Sequence, residues 1–307
     1  MQNNVLKDLT IIDLSHRLPG PFCGKILSDL GANVIKIEDH KFQDPFLSGL
    51  FAEFDPGFVN WYENLNKNKK IQRYDFNSPD DIKKIHDLVL GSDAVIMGLP
   101  EKTRVKLKLT DLDLTLKKPF IVIELLASLT EKKSMHDLNA MAVTGLLSLH
   151  VANHDEAIID PPFLPMAGIA FGHKAATDLL AHYIKALKTN STQFVKTYLD
   201  QSTEELFGIF WPSVERINGR TKFLHNGQYP CYTIYQTKDK KYVALAAVEE
   251  KFWNRFCEVF EVKSSLDRFF DKDQTLFQIV SQSIRKYTQN EISQLIESED
   301  ICLSVIK

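Results

Sequence analysis

A strand–helix–strand pattern near the N-terminus is the feature that most constrains the fold. Residues 9–14, LTIIDL, and residues 32–38, ANVIKIE, are β-rich runs. Between them apolar residues recur at helical spacing after the break at residues 19–21, and Gly31 marks the end of that helix. Two strands joined by one helix form a βαβ unit, which requires parallel pairing and a right-handed crossover.

A second set of elements continues the same alternation. The sequence predicts strands over residues 71–76, 93–98 and 119–127, and a helix over residues 79–91. The pattern is typical of a doubly wound α/β domain. No GxGxxG motif is present, so the sequence lacks a dinucleotide-binding fingerprint.

The character of the chain changes after residue 134. Alternation over residues 231–237, the polar turn KDKK and the run YVALAAV predict a β-hairpin within 230–250. The remaining patterns predict helices over 137–150, 169–188, 250–260, 273–286 and 290–297, and a further element over 194–208.

Composition narrows the class of protein. A net charge of -3 gives no electrostatic reason to expect binding to nucleic acid or to an acidic membrane. Four cysteines without a CxxC pair, no apolar leader and no long apolar run lead us to expect a cytoplasmic protein without a membrane span. His150 and His154 lie four residues apart in polar sequence, and we expect no metal site.

The stretch SMHDLNAMAVTG contains the most interesting histidine of the chain. Ser134 is predicted to be the N-cap of a helix, with Asp137 as the acid of a capping box. His136 would then lie in the first turn, where the helix dipole favours a neutral ring that can accept a proton. The alternative is a surface or capping histidine without chemistry.

Five blocks of the sequence resemble the family III CoA-transferases, the CaiB/BaiF group, and within that group the α-methylacyl-CoA racemases. The blocks are LPGPFCGKILSDLGANVIKIE (18–38), NLNKNKKIQRYDF (64–76), MHDLNAMAVTGLL (135–147), the hairpin and helix at 226–260, and SEDICLSVIK (298–307). The first and the fourth of these blocks are long and specific to the family.

The resemblance implies a fold and an assembly. We expect an α/β fold with a Rossmann-like CoA-binding large domain over 1–200. A smaller α+β domain over 201–307 would be shorter at its C-terminal end than in the relatives. Two such chains form an interlocked homodimer in the family. The expected ligand is CoA or an acyl-CoA thioester, acting as substrate or ligand, with no further cofactor.

The resemblance also implies roles for particular residues. His136 would be the catalytic base and Glu249 would orient it, with Asp137 a further candidate catalytic residue. The alternative for Asp137 is a charge that serves the helix N-terminus. The candidate CoA-binding residues are Arg17, Ile37, Lys67, Lys69 and Lys70, for which the alternatives are turn, core and solvated surface.

Two departures from the family pattern bear on activity. Gly168 stands where the family has a catalytic aspartate, and Pro100 stands where it has an arginine. His173 and Asp160 are candidate replacements for the aspartate, but core or surface roles fit them better.

Three hypotheses follow, and whether the chain is an enzyme stays open. The first is α-proton chemistry, racemisation or epimerisation, on a 2-methylacyl-CoA. The second is a catalytically impaired homologue that binds CoA thioesters. The third, ranked lowest, is a CoA-transferase with an acyl-aspartyl intermediate.

Overall fold

The structure is a computed structural model that describes most of the chain. The described residues are 4–110, 119–130, 134–152, 154, 156–210, 216–217, 220–221, 223–263, 266–269 and 273–307. The chain divides into two units. The first comprises Met1–Ser148 and Asp160–Phe210, and the second comprises Leu149–Ile159 and Trp211–Lys307.

The elements up to residue 207 alternate between strands and helices. The strands are β1 (Thr10–Leu14), β2 (Asn33–Asp39), β3 (Lys70–Tyr74), β4 (Ala94–Met97), β5 (Phe120–Leu126) and β6 (Thr192–Tyr198). The helices are α1 (Pro19–Asp29), α2 (Leu50–Phe54), α3 (Gly57–Asn66), α4 (Pro79–Gly91), α5 (Glu101–Lys106), α6 (Asp137–Val143), α7 (Leu146–Val151), α8 (Met166–Thr189) and α9 (Leu199–Phe207).

The six strands form one sheet in the order β3-β2-β1-β4-β5-β6. Every neighbouring pair is parallel. The predicted doubly wound α/β arrangement is therefore confirmed. Helices α2, α3 and α5 were not predicted, and the undefined element over 194–208 consists of strand β6 followed by helix α9.

The sheet is covered on both faces, and this explains its apolar strands. Ile11 of β1 packs in a cluster with Leu27 of α1 and Leu179 of α8. The next residue, Ile12, packs in a separate cluster with Ile85 of α4. Since successive side chains of a strand point to opposite faces, a strand buried on both sides needs a continuous apolar run.

Helix α4 shows how local signals fix an element of this unit. The hydroxyl of Ser78 accepts a hydrogen bond from the backbone N–H of Asp81, which satisfies one free donor of the first turn. Pro79 occupies the first helical position, where its missing N–H costs nothing. The predicted bounds of this helix are confirmed.

The second unit is built on an antiparallel sheet. Its elements are β7 (Arg216–Ile217), β8 (Arg220–Thr221), β9 (Tyr232–Gln236), β10 (Tyr242–Ala246), β11 (Leu303–Val305), α10 (Glu250–Val259), α11 (Thr275–Ile284) and α12 (Gln289–Leu295). β9 and β10 form the predicted hairpin, and β11 pairs with the other edge of β10. Val243 of β10 shares one apolar cluster with Phe256 of α10 and Val280 of α11.

Two expectations about the chain as a whole can be compared with these elements. None of the helices in the described part of the chain combines the length and the apolar character that crossing a membrane requires. All four cysteines are free thiols.

Candidate functional site

A cavity lies where the strand order of the first unit's sheet reverses. β1 and β4 are neighbours, and the chain proceeds outward through β2 and β3 on one side and through β5 and β6 on the other. Residues just beyond the carboxyl ends of the strands line a cavity of about 440 Å³, among them Ser15, Gly98, Ala127 and Leu199. Open α/β sheets bind their ligands at this position.

The turn between β1 and α1 forms one wall and is held in a strained conformation. Arg17 has a φ of 66°, in the left-handed region that costs a residue with a side chain roughly 1–3 kcal/mol. Its backbone N–H donates to both carboxylate oxygens of Asp44, at 3.1 and 3.0 Å. The buried Lys36 ammonium donates to the carbonyl of Ser15 at 2.5 Å and lies 3.3 Å from Asp44. These charged contacts stabilise the turn.

His136 enters the wall at the start of helix α6. It is itself the N-cap residue, so the prediction that Ser134 caps the helix is wrong. Its backbone N–H donates to Oδ1 of Asn139 at 3.1 Å, so Asn139 supplies the contact expected from Asp137. The residue His136 is exposed and lines the cavity.

Asp137 joins helix α6 to helix α8 instead of capping its own helix. Its Oδ1 accepts the backbone N–H of Gly168, in the first turn of α8, at 2.7 Å. The residue before α8, Pro165, makes no capping bond of its own, so Asp137 satisfies a donor that would otherwise be unpaired. Burial raises the pKa of the Asp137 carboxyl, although hydrogen bonds from the backbone of Gly168 and Ala167 oppose the rise.

Gly168 is buried, lines the cavity and is closely approached from two sides. A Cβ atom added at this position would lie 2.7 Å from Cδ2 of Leu18 and 3.6 Å from Oδ1 of Asp137. The first distance is shorter than real Cβ contacts allow, so any side chain here requires Leu18 to move. The methyl group of Leu18 therefore occupies the space next to the missing side chain.

Four aromatic residues form another wall of the cavity. We refer to Phe46, Phe51, Phe58 and Trp61 as the aromatic wall. Ring centroids of Phe46 and Phe58 lie 4.7 Å apart, and those of Phe58 and Trp61 lie 5.5 Å apart. The Arg17 guanidinium lies 5.5 Å from the centroid of Phe51, within the range of a cation–π contact. The cavity thus combines an apolar wall with one cation.

His16 is a second histidine of the lining. Burial lowers its pKa to about 4, the positive charge of Lys36 adds to this effect, and Asp44 and Asp13 oppose it. Its Nε2 atom is buried and has no hydrogen-bond partner among the described residues. The ring is therefore neutral near pH 7 and a weak base.

Comparison with known proteins identifies the family. The model of CoA-transferase family III matches residues 6–307. The chain belongs to CoA-transferase family III. It is 24% identical to a CaiB/baiF CoA-transferase family protein of Caenorhabditis elegans over 98% of this chain and 85% of the relative. It is 21% identical to the alpha-methylacyl-CoA racemase of Homo sapiens, over 98% of this chain and 77% of the relative.

A solved structure shows the same fold. The crystal structure of a CAIB/BAIF family protein from Brucella suis superposes with a TM-score of 0.80 at 16% identity, covering 100% of this chain and 85% of that one. The resemblance read from the five sequence blocks is confirmed as a family assignment, and so is the fold that it implied.

Of the five CoA-binding residues predicted for this family member, only Arg17 lines the cavity. Ile37 is fully buried in the core of the sheet, with 0% exposure, and its ligand-binding role stays a prediction. Lys69 is also buried, because its ammonium donates to Asp13 at 2.9 Å and to the carbonyl of Pro21 at 2.7 Å. Lys67 and Lys70 are exposed, and their phosphate role stays a prediction.

Glu249 belongs to the second unit. It is exposed and is the N-cap of helix α10. Its expected pairing with His136, which lies in the first unit, stays a prediction. The two candidate replacements for the family aspartate do not line the cavity: His173 lies on α8 with its ring 5.6 Å from that of Phe22, and Asp160 precedes that helix.

Sequence reasoning missed His16 and the aromatic wall. His16 lies two residues after the end of β1, which was a predicted strand, and the carboxyl end of a strand beside a switch point is a usable signal. The aromatic wall had no periodic pattern. For three of its four residues the signal was the density of aromatic residues in GLFAEFDPGFVNWY (49–62), and Phe46 precedes that segment.

Two other features of the molecule bear on ligand binding. The described residues contain no group of three or more side chains suited to holding a metal ion. A shallow groove of about 580 Å³ on the second unit is lined by Ile234, Tyr242, Phe277 and Arg285, among others, and includes none of the predicted site residues.

Proposed function

We propose that this family member binds acyl-CoA thioesters in the cavity and transfers the α-proton of a 2-methylacyl group, with His136 as the base. The observation that supports this most directly is the position of His136, in the wall of a cavity at the switch point of the sheet. Similarity to the alpha-methylacyl-CoA racemase supports the class of substrate.

The chemistry needs a base beside an acidified carbon. The thioester carbonyl lowers the pKa of the α-carbon, and a neutral imidazole removes the α-proton. The electron pair moves onto the carbonyl oxygen, which gives an enolate that hydrogen-bond donors stabilise. The same imidazolium then returns a proton to carbon, and Glu249 is proposed to orient the ring.

Incorporation of α-deuterium from heavy water tests this proposal. The purified protein is incubated with racemic 2-methylhexanoyl-CoA in D₂O, and the isotope content is followed by mass spectrometry. Replacing His136 by alanine should lower the exchange rate at least ~100-fold, the usual contribution of a general base. His173→Ala is the matched control, because that histidine is exposed on α8 and does not line the cavity. Equal exchange by wild type and His136→Ala refutes the proposal.

A second candidate function is binding of CoA thioesters without turnover. It is favoured by Gly168, since glycine supplies no acid or nucleophile and Leu18 occupies the adjoining space. Two results together support this candidate: calorimetry detects binding of acyl-CoA, and the wild-type protein incorporates no deuterium into it. Absence of binding heat with both CoA and acyl-CoA removes both candidates.

Transferase chemistry ranks last. It requires a covalent acyl group on an aspartate, and the family position for that residue is Gly168. Mass spectrometry of the protein after incubation with acyl-CoA would detect an acyl adduct. Its detection on an aspartate would reverse this ranking.

We also propose an interlocked homodimer in the cytoplasm, as the family resemblance implies. Four free thiols suit a reducing compartment. Sedimentation at micromolar concentration should give twice the chain mass of 35.1 kDa, and a species at the chain mass itself contradicts the dimer. Fractionation of cells tests the compartment.

A further inference from the structure

The aromatic wall is only partly covered by the rest of the protein. Phe46 anchors it with 5% exposure, and its ring lies edge-on to that of Phe51 at 5.6 Å and to that of Trp61 at 6.0 Å. Phe51 and Phe58 are half-buried, and Trp61 keeps 39% exposure. Three large rings of the lining therefore retain uncovered apolar surface, and a ligand that covers them gains the free energy of its burial.

One carboxylate holds the wall and a cation of the cavity in a fixed relation. Asp44 has 0% exposure and accepts the backbone N–H of Arg17 at 3.1 and 3.0 Å and that of Phe46 at 3.0 Å. The ammonium of Lys36 is also buried and lies 3.3 Å from this carboxylate, so it balances the negative charge. The backbone positions of Arg17 and Phe46 are thus set before a ligand arrives, which lowers the ordering cost of binding.

The guanidinium of Arg17 contacts an aromatic ring and not an acid. It lies 5.5 Å from the centroid of Phe51, and no carboxylate in the described part of the chain forms an ion pair with it. A flat, weakly hydrated guanidinium stacks on aromatic faces, because the face of a ring carries the negative end of its quadrupole. A saturated chain has no such quadrupole. Arg17 therefore favours an aromatic ligand over an aliphatic one of similar size.

The position of the wall indicates which part of an acyl-CoA it would contact. The aromatic wall and His136 line the same cavity, whose volume is about 440 Å³. A pocket of this volume encloses one drug-sized group, whereas an acyl-CoA also carries a pantetheine arm and a nucleotide. Since His136 is proposed to act on the α-carbon, the part of the ligand inside this cavity is the acyl end. The adenine ring lies beyond the pantetheine arm.

We propose that the aromatic wall and Arg17 form an acyl-selecting subsite, and that the acyl group it prefers carries an aromatic ring. This inference rests on the proposed binding of acyl-CoA thioesters and names the class of acyl group. The ring of the ligand packs edge-to-face or offset against Phe58 and Trp61, and such pairs contribute affinity beyond the apolar area that they bury. The Arg17 guanidinium adds attraction to the face of the ring.

Two thioesters that differ in one ring test the inference. The probes are 2-methyl-3-phenylpropanoyl-CoA and 3-cyclohexyl-2-methylpropanoyl-CoA, and calorimetry gives the dissociation constant of each. The cyclohexyl group is the larger and more apolar of the two, so a wall that acts through burial alone binds it at least as tightly. We expect wild type to bind the phenyl thioester roughly 2- to 10-fold more tightly, the range that an aromatic pair contributes. Equal binding, or tighter binding of the cyclohexyl thioester, overturns the inference.

Leucine variants locate the origin of this preference. Phe58→Leu and Trp61→Leu keep an apolar side chain but lose the ring, and each should bring the ratio of the two dissociation constants closer to one. Phe54→Leu is the matched control, because Phe54 ends α2 with 82% exposure, does not line the cavity, and should leave the ratio unchanged.

Two results of the variants contradict the subsite. A ratio that stays at the wild-type value in both Phe58→Leu and Trp61→Leu overturns the inference. Weaker binding of free CoA to Trp61→Leu, by the same factor as for both thioesters, places the adenine on the wall and overturns it as well. The comparison of the two probes on wild type needs no variant, so it decides the inference even where a variant fails to fold.

Failure of this inference and failure of the proposed function are distinguishable. Deuterium exchange into both thioesters without tighter binding of the phenyl probe supports the α-proton chemistry and overturns the subsite. Tighter binding of the phenyl probe without exchange into either thioester supports the subsite and refutes the α-proton chemistry. Absence of binding with both thioesters refutes the two together.

Discussion

Replacing Lys69 by methionine provides a sharp test of how this unit is held together. The ammonium lies 2.9 Å from Oδ2 of Asp13, and both side chains have 0% exposure. Methionine has a similar volume but no charge, so Asp13 would keep its burial and lose its nearest cation. Breaking a buried ion pair from one side typically costs about 3–5 kcal/mol. We therefore expect Lys69→Met to lower the free energy of unfolding of the first unit by about 3–5 kcal/mol. A urea titration that follows the unfolding transition of that unit measures the change.

The neighbouring residue Lys67 provides the control for this prediction. Lys67 is exposed, two residues away, and Lys67→Met should leave the free energy of unfolding within ~0.5 kcal/mol of wild type. Replacing Asp13 by asparagine in the Lys69→Met chain removes the uncompensated charge and should restore part of the loss. If Lys69→Met and Lys67→Met unfold at the same urea concentration, the reasoning from the buried pair is wrong.

Three further predictions concern other parts of the molecule. The pKa of His16 is about 4 in the folded chain and 6.5 in the unfolded chain. Because the unfolded chain binds the proton more tightly, the free energy of unfolding falls as the pH drops below 6.5. Between pH 7 and pH 5 this costs roughly 2 kcal/mol, and urea titrations of His16→Gln should show a fall smaller by that amount. Phe256 has 0% exposure in the core of the second unit, and replacing it by alanine should lower the free energy of unfolding by about 3–5 kcal/mol. The measurement is the shift of that unit's unfolding midpoint. Gly168→Asp should cost about 1–3 kcal/mol in thermal unfolding because of its 2.7 Å approach to Leu18, and adding Leu18→Ala should recover part of it.

The sequence predicted elements whose signals are local. The βαβ unit and the hairpin have periodic apolar residues bounded by proline, glycine or charged turns, and both are present. Helices α2 and α3 were missed because Pro56 and Gly57 interrupt a short aromatic segment that has no helical period. Strand β6 was left undefined because its apolar residues do not follow its burial pattern: Phe194 is exposed, whereas Thr197 is buried.

The candidate site depended more on contacts between distant residues. Lys69 resembles its neighbours in the run NKNKK, and only the fold shows that it meets Asp13, 56 residues away. Asp137 has the spacing of a capping-box acid, but it bonds to Gly168 on another helix. A sequence pattern describes near neighbours, so it could not show either of these contacts between distant residues.

The charged contacts beneath the β1–α1 turn have a consequence for the divergence of this chain. Lys36 lies 3.3 Å from Asp44 and 3.9 Å from Glu38, and all three side chains have 0% exposure. Losing one member first would leave an uncompensated charge in a medium that solvates it poorly. A single substitution at any of these three positions is therefore expected to lower the stability of the fold, which selects against it. We expect the three positions to covary among homologues, inherited or replaced together, while the exposed lysines of the same unit drift independently.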